Sequence, residues 1–485
     1  VVFPAVILSL AGVEQACSQI LSWNAVSGNW YTSSNWSPFG PPASNRVVVI
    51  NNGGTATIEA AANPAVANSI SIGSSASGSL QLQNGGRLNN VSGTVGESGG
   101  SSGMVTVDGT GSQWTNSATL AVGFLGDGTV NIQNGGVVTS PVASIGAGAS
   151  GVVTVNGTDS NLNAATSLVV GQSGNGTINV QSGASVTATQ TSVASNSGST
   201  GSATVTGTSS QWHTTGNFYL GGSSSGAGGA GTLNITDGGE VEVGGLFKIW
   251  NSTNSKSVID GGTLRVGSAE IVPSRLTFED GTLEVGGATQ GTFKWAGHTL
   301  SLQSRDRHTE AHLILHNVAP VVIRDIFLAY GSTRRGRLTL SGGTQLTSGT
   351  SGGDEVVLGY LQQTNAVATV DGPGTRWTIG VPALLIGRMG SGHLSIVNGG
   401  TVNAGRIVVG LLSESRGQIV VSGAGSTLTS SAFIRLSPEE SIFEGGDAQL
   451  SVIDGGSASA SGLRQPTSNC GAAPYSREVT TEIPR

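Results

Sequence analysis

Apolar and polar residues alternate in short runs along this chain, and the runs recur. "GDGTVNIQNGGVVTS" at 126–140 returns as "GNGTINVQSGASVTA" at 174–188, "GAGTLNITDGGEVEV" at 229–243 and "GSGHLSIVNGGTVNA" at 390–404. Within the first three copies Val130 and Ile132, Ile178 and Val180, or Leu233 and Ile235 are separated by Asn and preceded by Thr. That period of two predicts a strand with one buried face. The chain then turns at Asn-Gly-Gly, Ser-Gly-Ala or Asp-Gly-Gly. A second pattern runs between the copies: "MVTVDGTGSQW" at 104–114, "VVTVNGTDSNL" at 152–162, "SATVTGTSSQW" at 202–212, "VATVDGPGTRW" at 367–377 and "QIVVSGAGSTL" at 418–428. Met104 to Val152 is 48 residues and Val152 to Ser202 is 50. A third signal, an apolar residue followed by Gly, closes strands at Gly123, Gly146, Gly171, Gly221, Gly331, Gly359, Gly387 and Gly410, with first intervals of 23 and 25. Each long repeat therefore holds two turns of something half as long.

Periods of 20 to 50 residues mean a solenoid, a propeller or an array. Helical repeats are excluded, because no 3.6-residue period is present and Gly, Ser, Thr and Asn fill the middle of every segment. A propeller blade fits the longer period, but the half-repeat favours coils. The expected fold is all-β, a single-stranded parallel β-helix (solenoid) of about 24 residues per coil, on the order of 17 coils and ~80 Å long. A coil cannot bury its inner face alone, so the next coil repeats the pattern in register. Asp-Gly at 108, 127, 237, 260, 280, 371 and 454 is expected at corners, since Asp tolerates left-handed backbone. The divisions read as an apolar leader over 1–20, a lead-in or cap over 21–45, repeats over 46–268, a less regular segment over 269–330, repeats over 331–462 and an irregular tail over 463–485.

Composition fits this picture and narrows the function. There are 78 Gly in 485 residues, more than twice the ordinary usage of about 7%. With 10% charged and 37% hydrophobic residues the chain is neither a disordered polyelectrolyte nor a collagen. A net charge of −7 with scattered Lys and Arg supplies no basic stripe, so nucleic acid is not an expected partner. Two cysteines, Cys17 and Cys470, exclude a disulfide framework. "VVFPAVILSLAG" followed by "VEQACSQ" reads as the apolar part of a truncated signal peptide cleaved near Ala16, or else as a buried strand or cap.

Candidate chemistry is sparse. His298, His308, His312 and His316 fall in the irregular segment, with a dense run of charge. On a helix His308 and His312 would share a face; the alternation of Ala311, Leu313 and Leu315 with Glu310, His312, Ile314 and His316 favours a strand with solvated histidines. His308, Glu310 and His312 remain weak metal candidates, and no cofactor is expected. Arg305, Asp306, Arg307 and Asp325 form the one mixed cluster away from Asp-Gly turns, where a sugar-cleaving site would need acid and base facing one bond. Trp114, Trp212 and Trp377 recur at one repeat position, either packing over the coil below or offering a sugar-stacking platform.

The alternation of "GTVNIQNGGVVTS" with "VTVDGTGSQWTNSATLAVG" resembles the repeat of bacterial type V secretion (autotransporter) passengers and PEP-CTERM-associated surface proteins. The opening "LSWNAVSGNWYTSSNWSPFGPPASNRVVVINNGGTATI", with Trp23, Trp30 and Trp36, is similar to the lead-in of such passengers. The resemblance implies a secreted right-handed β-helix at the cell surface of a Gram-negative bacterium, associated with the outer membrane. It further implies an adhesin or structural component whose partners are host-surface or matrix glycans or proteins. No membrane barrel and no PEP motif follow residue 460, so both ends read as incomplete, with membrane attachment through a translocator or anchor that this chain lacks. The last coil, near "QLSVIDGGSASA", reads as uncapped and open to self-association. The rival expectation is a polysaccharide lyase or glycoside hydrolase with its site in the irregular segment.

Overall fold

In a computed structural model, residues 19–380, 383–437, 445–464 and 477–481 are described. The candidate leader, with Cys17, and Cys470 in the tail lie outside the described residues. The chain is a parallel β-solenoid, 1% helical, of about 17 turns with about 25 residues each.

One coil shows why these residues fold this way. Asp127–Gln133 forms a long side in which Gly128, Val130 and Ile132 face inward and Thr129, Asn131 and Gln133 face outward. Asn134 and Gly135 then take φ of 54° and 87°, and the Gly136 N–H donates to the Gln133 carbonyl at 3.0 Å. These are the marks of a type I′ turn, whose two left-handed positions favour Asn-Gly. Val137–Ile145 supplies two short sides, separated by a shift of register between Ser140 and Val142. Gly146 (φ 70°) closes the coil; a Cβ there would lie 2.4 Å from the carbonyl carbon of Asn175, so a side chain at this position would force the backbone to shift. Gly103, Gly128, Gly151, Gly176 and Gly201 pair in sequence from coil to coil, so the repeats stack in register. Their inward neighbours merge into one core running from Leu21 to Leu450. Each such Val, Leu or Ile contributes ~1.5–3 kcal/mol relative to exposure.

The long period of 48–50 residues has its own cause. Tight Asn-Gly corners alternate with wider Gly-x-x-Ser corners, and the wide corner bonds to the tight one beneath it. The Ser160 hydroxyl, fully buried, donates to the Asn156 carbonyl at 2.8 Å and accepts the Gly135 N–H at 3.0 Å. Ser112, Ser210, Thr375 and Ser426 accept the N–H of Gly85, Gly183, Gly343 and Gly399 in the same way, at 2.9–3.1 Å. A corner glycine would otherwise leave a buried donor unpaired. The two corner types are therefore complementary, and the repeat unit is two coils.

Both ends carry closing elements. At the amino end Trp36–Ser37 pairs antiparallel to Ile20–Trp23, and Trp23, Trp30 and Trp36 pack edge to face, with ring centroids 4.9 and 4.8 Å apart. The Trp36 indole donates to the Trp30 carbonyl at 2.7 Å. At the other end Arg477–Thr481 pairs parallel to Ala448–Val452. The expected irregular tail thus contains a strand, and the edge expected to be open at Gln449–Val452 is occupied by it; Ser457–Arg464 has no outer partner among the described residues.

The segment read as less regular is a change of phase. Up to Phe278 every long side lies in an 11-stranded sheet and the short sides lie in a 23-stranded sheet. The turn from Leu276 to Leu302 has four straight segments instead of three: Leu276–Phe278, Gly281–Gly291, Phe293–Trp295 and Thr299–Leu302. The next long side, Ala311–Val318, consequently stacks on a short one: Gly281 pairs with Ala311 and Gly286 with His316. From there on the long sides, Arg335–Ser341 first, continue the 23-stranded sheet, and the short sides form a new 10-stranded sheet. The same repeat sentence therefore occupies a different side of the rod before and after residues 276–302. The old sheet ends at Leu276–Phe278 and the new one begins at Thr299–Leu302; these two segments do not pair. Between them lies an open cleft of about 190 Å³ lined by Pro273, Leu276, Phe278, Leu283, Trp295, Leu300, Leu302 and Leu313 among others.

Two corner readings need correction. The left-handed residue of the coil ending at Leu328 is Ala329 (φ 57°), not Gly331, because the chain turns immediately after the strand. Among the Asp-Gly pairs only Asp237 and Asp454 are left-handed at Asp; Asp127, for instance, begins a long side.

The corner alternation makes a prediction. Ser160→Ala removes both bonds of a buried hydroxyl and strands the Gly135 N–H, at a cost of about 1–3 kcal/mol. Amide hydrogen exchange at Gly135 should accelerate accordingly, while exchange several coils away stays unchanged, as neighbour-only coupling in a solenoid requires.

Candidate functional site

The change of phase has a chemical consequence on one edge of the rod. Backbone bonds link successive corners there: Asp237 N–H to Asp260, Gly261 N–H to Asp280, Gly281 N–H to Glu310, Ser304 N–H to Arg335 and Asn365 N–H to Arg334. Tyr360 N–H to Ala329 and Arg388 N–H to Gly359 extend the line. In the three corners just before the change the turn residues are acidic, Asp237, Asp260 and Asp280. After it the four corners spanning 303–309, 329–335, 359–364 and 387–390 carry five arginines, at 305, 307, 334, 335 and 388, and one carboxylate, Asp306. A chain of net charge −7 thus has a locally basic edge.

The partners of these groups are specific. The Arg305 guanidinium bonds Asp260 at 2.6 Å, which raises its pKa and neutralises it. Asp306 folds back on its own loop, accepting the N–H groups of His308 at 2.8 Å and Thr309 at 3.2 Å, and these hold its carboxyl below the usual carboxylate range. The Arg334 Nη1 donates to the Ser304 carbonyl at 2.6 Å, and the Arg307 Nε to His308 Nε2 at 3.1 Å. Arg307, Arg334, Arg335 and Arg388 have no carboxylate partner among the described residues. Aromatic rings lie between them. Tyr330 is 42% exposed; its ring centroid is 4.5 Å from that of Tyr360, and the Arg388 guanidinium sits 4.2 Å above Tyr360. Phe327 meets both tyrosines edge to face at 5.2 and 5.6 Å. Cation–π contact and ring stacking thus order one exposed column.

The residues singled out from sequence lie elsewhere or apart. Trp114, Trp212 and Trp377 are each fully buried. The Trp114 indole donates to Asn90 Oδ1 at 2.7 Å and the Trp377 indole to Ser348 Oγ at 2.8 Å, so these rings are core and no sugar can reach them. Their recurrence at one repeat position signals packing; the surface aromatic cluster is instead the exposed Tyr330 with the half-buried Phe327 and Tyr360. His308, Glu310 and His312 are not gathered into a ligand set: Glu310 is ion-paired with Arg337 at 2.6 Å and His312 Nε2 bonds Thr339 Oγ1 at 2.9 Å. Among the described residues no three His, Cys, Asp or Glu converge on one point. Ala311–Val318 is the expected strand, but His312 and His316 are half-buried rather than solvated, each bonded to a hydroxyl of the next coil. Asp325 accepts the Glu355 N–H at 2.9 Å and the Thr299 hydroxyl at 3.0 Å, both between adjacent coils.

No protein-family model matches this chain, and neither a curated protein nor a solved structure is significantly similar to it.

The half-buried histidines make stability pH-dependent. Burial lowers the pKa of His312, with the Arg337 charge adding and Glu310 and Glu284 opposing; burial likewise lowers His393, against its 3.0 Å bond to Gln418. A folded-state value below the ordinary 6.5 means that the unfolded chain binds protons first. Their stabilisation is therefore complete above 6.5 and is lost as pH falls from there toward the folded-state values. Denaturant midpoints should drop across that window, and His312→Gln with His393→Gln should flatten the drop.

Proposed function

We propose that this chain is the surface-displayed passenger of a Gram-negative secretion system, of the autotransporter or PEP-CTERM-associated kind, acting as an adhesin or structural surface component without catalysis. The observation that supports the reading is the uninterrupted core from Leu21 to Leu450, which makes about 17 turns one stiff body. A stiff body holds its corner residues at fixed spacing of ~4.8 Å per turn, so weak contacts repeated along it act together. The work of such a rod is display. Its location is outside the cell, at the outer membrane, and its partners are glycans or proteins of a neighbouring surface or matrix.

The competing reading is a polysaccharide-active enzyme working at the seam, with Asp306 or His312 as proton carrier. One experiment separates the two. The full chain, immobilised, is offered a panel of surface and matrix glycans while reducing-end formation is followed. Retention without new reducing ends is expected. Release of reducing ends that disappears in Asp306→Asn or His312→Gln would replace the adhesin with an enzyme.

A further inference from the structure

We infer that the basic, tyrosine-lined edge spanning corners 303–309 to 387–390 binds an acidic polysaccharide laid along the rod axis. The inference rests on the display reading and assigns it a ligand class.

Charge complementarity carries the argument. Arg307, the Arg334–Arg335 pair and Arg388 come from the first, second and fourth of four stacked corners, Tyr360 standing on the third, and the four corners cover about 14 Å of axis. The one carboxylate in these corners, Asp306, is exposed but bonded to the His308 and Thr309 N–H groups of its own loop, and Arg305 is paired with Asp260, which leaves four arginines against one carboxylate. Beyond the corners, Glu310 is spent on Arg337. The residual field along the edge is therefore positive on a chain that is otherwise acidic. A guanidinium presents a planar fork that matches carboxylate or sulfate, which makes arginine better suited than lysine to regularly spaced acidic groups.

The aromatic column selects among polyanions. Tyr330, Tyr360 and the Arg388 guanidinium are already stacked on one another, at 4.5 and 4.2 Å. A nucleic acid would need open ring faces for its bases, and the Tyr360 ring is already contacted by Tyr330, Phe327 and the Arg388 guanidinium. A tyrosine carries a phenol hydroxyl and apolar ring carbons together, which suits the mixed hydroxyl and C–H surface of a sugar, and Tyr330 is 42% exposed. The turn-to-turn rise is close to the advance of one pyranose along a chain, so an extended glycan meets a new corner with each sugar. Four arginines without a carboxylate partner among the described residues also give a modest charge density, adequate for one charge per sugar or fewer.

The test uses the full chain in solution with four probes: polygalacturonate and chondroitin sulfate as acidic glycans, dextran as the neutral control, and a single-stranded oligonucleotide. Binding of at least one acidic glycan, weakened by added salt and absent for dextran, is expected. Replacing Arg307, Arg334, Arg335 and Arg388 together by Gln should weaken it by roughly a hundredfold, since each lost charge-assisted pair costs on the order of threefold or more. Tyr330→Ala with Tyr360→Ala should weaken it further than the loss of charge alone explains. Arg376→Gln, an exposed site on a strand away from this edge, should leave binding unchanged. Circular dichroism and thermal unfolding of the variants should match the parent, because the altered side chains stand outside the core. Unaltered binding in the four-Arg variant, an oligonucleotide that binds as tightly as the glycans, or binding to none of the acidic probes would each overturn the inference. Retention of dextran or another neutral glycan alone would do so too, while leaving the display reading in place.

Discussion

Stacking in register is the constraint from which the rest of this structure follows. A single coil has an apolar inner side and two rows of unpaired backbone groups, and both problems are solved only by another coil of the same shape on each face. Gly103, Gly128, Gly151, Gly176 and Gly201 therefore lie in one column, and Val130 lies against Val105 and Val153. Repetition in the sequence is the physical means by which each coil becomes its neighbour's core. The corners obey the same demand: a tight turn leaves a glycine N–H facing along the axis, and the next coil must bring a hydroxyl to meet it. Ser112, Ser160, Ser210 and Ser426 meet that need in alternate coils.

A structure built this way can change its outer surface only by changing which side of the coil faces where. The four-sided turn from Leu276 to Leu302 does this without interrupting the core, since Leu283, Leu313 and Leu338 remain stacked through it. Its local cost is an unpaired strand edge on each side of a cleft. Its effect is long-ranged: an edge whose last three corners carry Asp237, Asp260 and Asp280 becomes an edge of arginines and tyrosines. The chemistry of the rod is thus concentrated where its geometry departs from repetition.

Much of the fold was legible in sequence because it is periodic. The alternation in "GTVNIQ" and the 23 and 25 residue intervals yield the coil, and Trp23, Trp30 and Trp36 mark the amino-terminal lead-in. The meaning of the double period was not legible, because it resides in a bond between Ser160 and Gly135, which are 25 residues apart. The phase change was visible only as lost pattern. Nothing local says that Ile314 lies against Glu284 rather than against the previous long side. The candidate site was misplaced for a related reason. Trp114, Trp212 and Trp377 recur at one repeat position because that position is buried, so recurrence here marks the core. The exposed Tyr330 and half-buried Tyr360 belong to corners of unequal length and share no repeated motif, so only the stacked geometry brings them together with Arg388. The density of charge around 305–337 was a true signal, but its residues are divided between coil-to-coil ion pairs and the basic edge.

The basic edge exists only if the phase changes where the structure has it, so the register there is the most direct test. Glu284 and Ile314 are paired neighbours on the outer surface of the 23-stranded sheet. Uninterrupted repetition would instead bring Ile314 against Thr277 of the preceding long side. Cysteines at 284 and 314, with Cys17 and Cys470 replaced by Ser, are predicted to oxidise readily to a disulfide in the folded chain, since paired strand positions fall within disulfide reach. Cysteines at 277 and 314 are predicted not to. The reverse outcome, a bond between 277 and 314 and none between 284 and 314, would mean that the repeat keeps its phase and that the arginines and tyrosines do not share an edge.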